Sequence, residues 1–169
     1  WPTTISRWQR EGMPANVDFF DYLDMDCIRT VHVDNSPRFP VEVLEETEDY
    51  CIYTSQWGAT LKQGLDGHGT PRGTPHRLDF RVKDPDSWRQ AKERMQPDPD
   101  RIDWDTLRRD FRTWRQRGDW ISAGLWFGFE VTYSHMVGVP LFIAMVEEPE
   151  WVIDMVDTML NLSLTLLDM

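Results

Sequence analysis

Cysteine is scarce, with only two in 169 residues. Cys27 and Cys51 stand too far apart for a compact metal or redox pair, and two thiols make no secreted disulfide framework, so a cytoplasmic setting is expected. Long apolar runs are absent. No segment approaches the roughly 20 apolar residues that span a bilayer, and WPTTISRWQREGMP lacks the basic start and apolar stretch of a signal peptide. Positive charge is also short: 18 Lys and Arg face 29 Asp and Glu, a formal net charge of -11. Such a field repels phosphate backbones, which argues against nucleic acid as a partner. The first residue is Trp1 rather than methionine, and we expect upstream sequence before it.

Aromatic residues are abundant. Nine tryptophans serve either as core anchors or as the walls of a cleft for a flat or apolar ligand. The length suits one domain with a sizeable core. No internal repeat or low-complexity tract interrupts it.

Local patterns alternate between helix and strand. TTISRWQRE, residues 3–11, reads as a short helix opened by threonine and ended by Gly12 and Pro14. FFDYLDMD brings an apolar face before the strand-like IRTVHV at 28–33, which the turn formers DNSPRFP close. Alternation at 50–57 sets Tyr50, Ile52, Thr54 and Gln56 against Cys51, Tyr53, Ser55 and Trp57, and Trp57–Gly58 marks a turn. The tract GLDGHGTPRGTP, with four glycines and two prolines, argues against a helix or central strand and for a flexible connection. HRLDFRV at 76–82 reads as a returning strand, so residues 41–83 form a β-rich excursion.

Further along, SWRQAKERM is a short helix with Trp88, Ala91 and Met95 on one side. In WDTLRRDFRTWRQRG, Trp104, Leu107, Phe111 and Trp114 recur at helical spacing and Gly118 ends the run. DWISAGLWF is expected to be a fully buried strand, VTYSHMVG a short helix closed by Gly138, and PLFIAMVEEPE a connection. It leads to a helix over 150–169 with Pro149 in its first turn. Met155, Met159, Leu162, Leu166 and Met169 make one stripe of that helix, broadened by Val152, Val156, Leu160, Leu164 and Leu167. So wide an apolar girth calls for neighbours on more than one side, either downstream structure or a homo-oligomeric contact. The order of units favours α/β, as a (β/α) barrel or an open parallel sheet.

Several residues are candidates for chemistry. Glu45, Glu46, Glu48 and Asp49 read mainly as a solvated strand entrance. Glu130, after Phe127, Gly128 and Phe129, is an acid that a buried strand can project into a pocket, or a helix-start carboxylate held by backbone N–H groups. Arg72 and Arg77 have the paired donors that recognise a carboxylate. His68 and His76 bracket the glycine-rich tract, and His135 lies on the short helix after the strand. Trp57 and Phe129 are candidate walls for a flat ligand. The four histidines have no zinc-helix spacing, HGTPRGTPHR is no phosphate loop, and no serine nucleophile motif stands out.

Taken in order, TTISRWQREGMP, VLEETEDYCIYTSQWGATLKQG, GTPHRLDFRVKDPDSWRQAKERM and MVGVPLFIAMVEEPEWVIDMVD resemble the uroporphyrinogen decarboxylase-like family. The resemblance implies the N-terminal portion of a (β/α)8 TIM barrel with an inserted β-hairpin excursion, the C-terminal half being supplied by sequence beyond Met169. It also implies carbon–carbon decarboxylation of a polycarboxylated tetrapyrrole or related acid, with no metal or organic cofactor. In the family's decarboxylases arginines hold the substrate carboxylates and an aspartate addresses the pyrrole nitrogens; an N-terminal arginine-rich block of that kind is not evident here. Tyr133 and Gly138 match the family's tyrosine and glycine after a shift in spacing, which makes Tyr133 an orienting donor. Asp34, at the end of IRTVHV, is a candidate stabiliser by position, since barrel active groups come from strand C-terminal ends. The family also contains corrinoid-linked methyltransferases, whose zinc ligands are expected outside this chain. A third reading is an incomplete, non-catalytic binding module.

Overall fold

The computed structural model describes residues 2–169. In chain order its elements are α1 (Pro2–Arg10), α2 (Phe19–Tyr22), β1 (Ile28–His32), β2 (Val43–Glu46), β3 (Tyr50–Thr54), β4 (Ala59–Leu65), β5 (Pro71–Phe80) and α3 (Pro85–Arg94). A 3-10 turn at Pro99–Arg101 precedes α4 (Trp104–Arg117) and β6 (Trp120–Gly124). Then come α5 (Phe129–Val131), a π-helical turn at Thr132–Val137, α6 (Pro140–Glu147) and α7 (Pro149–Leu167). The Thr3 side chain, expected to open the first helix, lies outside the described side chains. The chain is mixed α/β and divides into two compact units: the segment up to His32 with Asp103–Gly124, and Val33–Ile102 with Leu125–Met169.

The first unit is a β-α-β arrangement. β1 and β6 pair in parallel, from Ile28 opposite Trp120 to His32 opposite Gly124. The connecting helix α4 is set at both ends by its sequence. Asp103 accepts from the Thr106 N–H at 3.0 Å, and Gly118 closes the helix at φ 78°, a left-handed conformation that glycine adopts without strain. Arg29 reaches from β1 to Asp119, just before β6, at 2.9 Å. None of the five β6 residues is buried, and Trp120 is 69% exposed. The expectation of a fully buried strand is therefore corrected: a sheet of two strands leaves each with a bare edge, so the apolar run of β6 is not enclosed.

The second unit carries an antiparallel meander in the order β2-β3-β4-β5. The excursion expected over 41–83 is this sheet, but its glycine-rich tract is shorter as a connection than the composition implied. β4 runs to Leu65, β5 starts at Pro71, and Asp66 Oδ1 ties the turn by accepting from the His68 and Thr70 N–H groups at 2.9 and 2.8 Å. Proline is tolerated because β5 is an edge strand, where a missing N–H leaves no ladder bond unmade. Between β3 and β4, Gly58 turns at φ 93°, and a Cβ there would lie 3.1 Å from the Phe39 ring.

Helices pack beside this sheet. α3 opens on a reciprocal cap between Asp84 and Ser87 and buries Trp88, Ala91 and, just past its end, Met95. Of PLFIAMVEEPE, residues 140–150, expected to be a connection, Pro140–Glu147 form α6, with Pro140 in its first turn. α7 buries Met155, Met159, Leu162 and Leu166, but Met169 lies past the last turn and is 48% exposed. Of its other apolar residues, Trp151 is buried, Val152 and Val156 are half-buried, and Ile153, Leu160, Leu164 and Leu167 are exposed. Neither sheet closes on itself. Among the described residues no helix is long and apolar enough to cross a membrane.

Candidate functional site

Two positive-φ glycines bound the segment of the second unit richest in candidate residues. Gly128 (φ 74°) starts α5 and Gly138 (φ 78°) ends the π-helical turn. Between them Val131, Thr132, Ser134, Met136 and Val137 are buried, while Phe129 and Glu130 are exposed and Tyr133 and His135 half-buried. The buried hydroxyls are spent on the local backbone: Thr132 donates to the Gly128 carbonyl at 2.9 Å and Ser134 to the Glu130 carbonyl at 2.6 Å. Ser134 Oγ also lies 3.1 Å from Glu130 Oε1. Widened turns of this kind occur often at functional sites.

A contiguous aromatic face follows. Phe129 and Tyr133 stack with centroids 5.7 Å apart and planes 5° from parallel. Phe142 of α6 leans on both, at 5.8 and 5.1 Å, and Trp126 meets the His135 ring edge-on at 5.1 Å. About half of the Trp126, Phe129 and Phe142 surfaces remains open.

Charge is placed on the same turn, around Ser134 and His135. Arg77 reaches from β5 and donates through Nε to the Ser134 carbonyl, while its two terminal nitrogens hold no hydrogen bond or ion pair among the described residues. Burial holds the His135 imidazole below its ordinary value, and the Arg77 charge adds to this against the opposing pull of Glu130. His135 is therefore neutral at neutral pH, able both to accept and to donate a hydrogen bond. An aromatic face, an arginine with donors to spare and a neutral imidazole can hold a flat, carboxylated ligand and exchange a proton with it.

Asp34 sits in a tightly bonded loop of the same unit. Its Oδ1 accepts from the Ser36 N–H at 3.0 Å and its Oδ2 from Arg38 Nε at 2.7 Å. Burial alone would raise its pKa, but the bonds from Ser36 and Arg38 outweigh it and hold the carboxyl below its ordinary value. Arg101 braces the loop: 2% exposed, it donates to the carbonyls of Asp34, Ser36, Arg94 and Gln96 at 2.8 to 2.9 Å. Arg94 adds bonds to the Pro37 and Arg38 carbonyls. The next residue, Asn35, links this loop to the aromatic face, donating to the Trp126 carbonyl at 2.6 Å and to Ser163 Oγ at 3.1 Å.

The structure thus gathers Arg77, Phe129, Glu130, Tyr133 and His135, and bonds Asp34's neighbour to the same group. Trp57, His68 and Arg72 are not joined to it by hydrogen bonds or ring contacts. Trp57 is buried in the β3–β4 turn, His68 is exposed in the β4–β5 turn, and the exposed Arg72 offers its carbonyl to Gln63 Nε2 at 2.9 Å. Trp126, Phe142, Asn35, Arg38 and Arg101 were not singled out by sequence reasoning. Phe142 was findable: Pro140 before an unbroken run of helix-compatible residues is a helix-start signal. Arg101 was not, since nothing in PDPDRID marks its guanidinium for burial. Among the described residues no group of three or more His, Cys, Asp or Glu is placed to hold a metal ion. No family model matches the chain, and no curated protein and no solved structure matches it.

Proposed function

We propose that the aromatic face beside Arg77 seats a flat, polycarboxylated ring, a tetrapyrrole or related acid, for carbon–carbon decarboxylation, and that the chain is the N-terminal portion of a (β/α)8 barrel of the uroporphyrinogen decarboxylase-like kind. The observation that carries this reading is the stack of Phe129, Tyr133 and Phe142 built around the same turn whose Ser134 carbonyl is held by Arg77, an arginine with two uncommitted donor nitrogens. Flat rings gain from offset stacking, and a guanidinium pairs with a carboxylate through two parallel N–H bonds. The parallel β1–β6 pair joined through α4 is the repeating step of such a barrel.

Decarboxylation asks for a place to put the electron pair of the breaking carbon–carbon bond. In a pyrrole-type ring protonated on carbon the substrate supplies that place itself: carbon dioxide leaves as the ring takes the electron pair, the exocyclic methylene left behind takes a proton to become methyl, and the ring carbon gives up the proton it had gained. Tyr133 orients the reacting carboxylate and Asp34 stabilises the positive ring. For the latter, a substrate carboxylate must draw Arg38 away from Asp34, exchanging one ion pair for another. This chemistry needs no metal or organic cofactor.

A non-catalytic binding module is the second reading, favoured by the engagement of both Asp34 oxygens in the loop. Anaerobic incubation with uroporphyrinogen, followed by oxidation and counting of carboxyl groups by mass spectrometry, separates the two. Products with one or more carboxyl groups fewer are expected. Bound but unaltered substrate would reject decarboxylation and leave the binding role.

A further inference from the structure

α7 carries a second apolar row besides the one it buries. Ile153, Leu160, Leu164 and Leu167 are between 39% and 58% exposed, and the half-buried Val156 completes the row. At 3.6 residues per turn these positions fall within about a quarter-turn of one another, roughly 140° around the helix from the buried Met155, Met159, Leu162 and Leu166. The row therefore points away from the core that the same helix builds.

The spacing of the row reads the same in both directions. Successive members are three, four, four and three residues apart. A half-turn rotation about an axis through Leu160 therefore sets Ile153 against Leu167 of a second copy, Val156 against Leu164, and Leu160 against Leu160. Such self-complementarity is what a two-fold contact requires. The seven-residue steps from Ile153 to Leu160 to Leu167 are also the repeat by which paired helices keep a seam in contact.

Charge selects the direction of pairing. Glu150, Asp154 and Asp157 make the first half of the helix acidic, whereas residues 158–167 carry no charge. Laid in the same direction, two copies would bring Asp157 to Asp157 and Glu150 to Glu150. Laid in opposite directions, Asp157 falls beside the uncharged residues 161–164, and like charges meet only where Glu150 nears Asp168 at the exposed ends. The row and its flanks would bury on the order of 1,000 Å² in all, the lower end for a specific interface, so the contact is reversible.

We propose that two copies of this chain associate through α7, antiparallel, with Leu160 on the two-fold axis. The pairing is independent of the ligand assigned to the aromatic face, whose residues Arg77, Phe129, Tyr133, His135 and Phe142 all lie outside α7.

Sedimentation velocity of the whole chain is expected to show a monomer–dimer equilibrium with a dissociation constant of about 10 to 100 μM. Leu160→Glu sets two carboxylates together on the axis and is expected to weaken the dimer at least about tenfold. Ile143→Glu, on the exposed side of α6, is expected to leave it unchanged, with circular dichroism reporting the fold of both variants. Direction is read separately, without relying on Leu160. Under mild oxidation, Ile153→Cys mixed with Leu167→Cys is expected to yield a peptide joining positions 153 and 167, identified by mass spectrometry, and Ile153→Cys alone no 153–153 link. A monomer throughout, a dimer that survives Leu160→Glu in folded protein, loss of the dimer in folded Ile143→Glu, or a 153–153 link in place of the mixed one would each overturn the proposal.

Discussion

Arg101 and Asp34 hold each other twice: the guanidinium donates to the Asp34 carbonyl at 2.9 Å, and the Asp34 N–H donates to the Arg101 carbonyl at 2.7 Å. The same guanidinium serves three further carbonyls. Arg101→Met therefore strands four acceptors, and the expected loss is about 3 kcal/mol or more. Chemical denaturation of both proteins measures it. A change below about 1 kcal/mol would mean that water or a neighbouring side chain replaces the guanidinium.

Asp34 gives acid sensitivity a definite sign. Its folded pKa lies below the ordinary 3.8, so the folded state releases the proton more readily than the unfolded state. The stabilisation is complete above that value and is lost as pH falls through the folded pKa. Asp34→Asn is expected to be less stable at neutral pH and to show a shallower fall in stability below about pH 4. Denaturation midpoints across pH 2.5 to 6 check both.

His135 titrates at the other end of the site, passing from neutral to cationic as pH falls. Its pKa is held below 6.5, first by burial and then by Arg77, with Glu130 opposing. The unfolded chain therefore takes the proton first, and the contribution present above pH 6.5 is lost as pH falls below it. Arg77→Gln is expected to raise the His135 pKa and Glu130→Gln to lower it further. Imidazole carbon-13 shifts followed through pH 4.5 to 8 read both directions; an unchanged midpoint in either variant would contradict the electrostatic account.

Gly138 ends the π-helical turn at φ 78° and ψ −151°, a region essentially reserved for glycine. A Cβ there would lie 2.4 Å from Phe80 Cε2. Gly138→Ala is expected to cost about 2 to 3 kcal/mol and to disturb the Tyr133 and His135 signals. Combining it with Phe80→Leu should recover the steric part but not the backbone strain. Full recovery in the double variant would show that the ring clash alone sets the requirement.

Much of the local structure was legible because it rests on short-range signals. Gly118 ends α4 as its position implied, the apolar side of SWRQAKERM finds α3, and alternation from Tyr50 finds β3, whereas the caps at Asp103 and Asp84 emerge only from the structure. Gly138 was recognised as a stop, though nothing in VTYSHMVG distinguishes a π turn from an α turn. The failures have a common cause. Whether WISAG is enclosed depends on how many strands flank it, and whether PRGT pairs depends on its place at a sheet edge; both are properties of partners distant in sequence. At the site, Tyr133, His135 and Arg77 were each named on chemical grounds, yet their grouping depends on β5 lying against the π turn. Arg101 carries no sequence mark at all, since its role is defined by four carbonyls from two separate stretches, 34–36 and 94–96.

The central claim is that the Phe129, Tyr133 and Phe142 face with Arg77 takes a flat polycarboxylated ring. Uroporphyrin binding, followed by quenching of Trp126 fluorescence with Trp126→Phe as the blank, tests it most directly. We expect saturable quenching, weakened about tenfold by Arg77→Gln and by Phe129→Ala, with His135 still titrating normally in the Phe129 variant. Equal affinity in wild type and both variants, or no saturable quenching, would contradict the account.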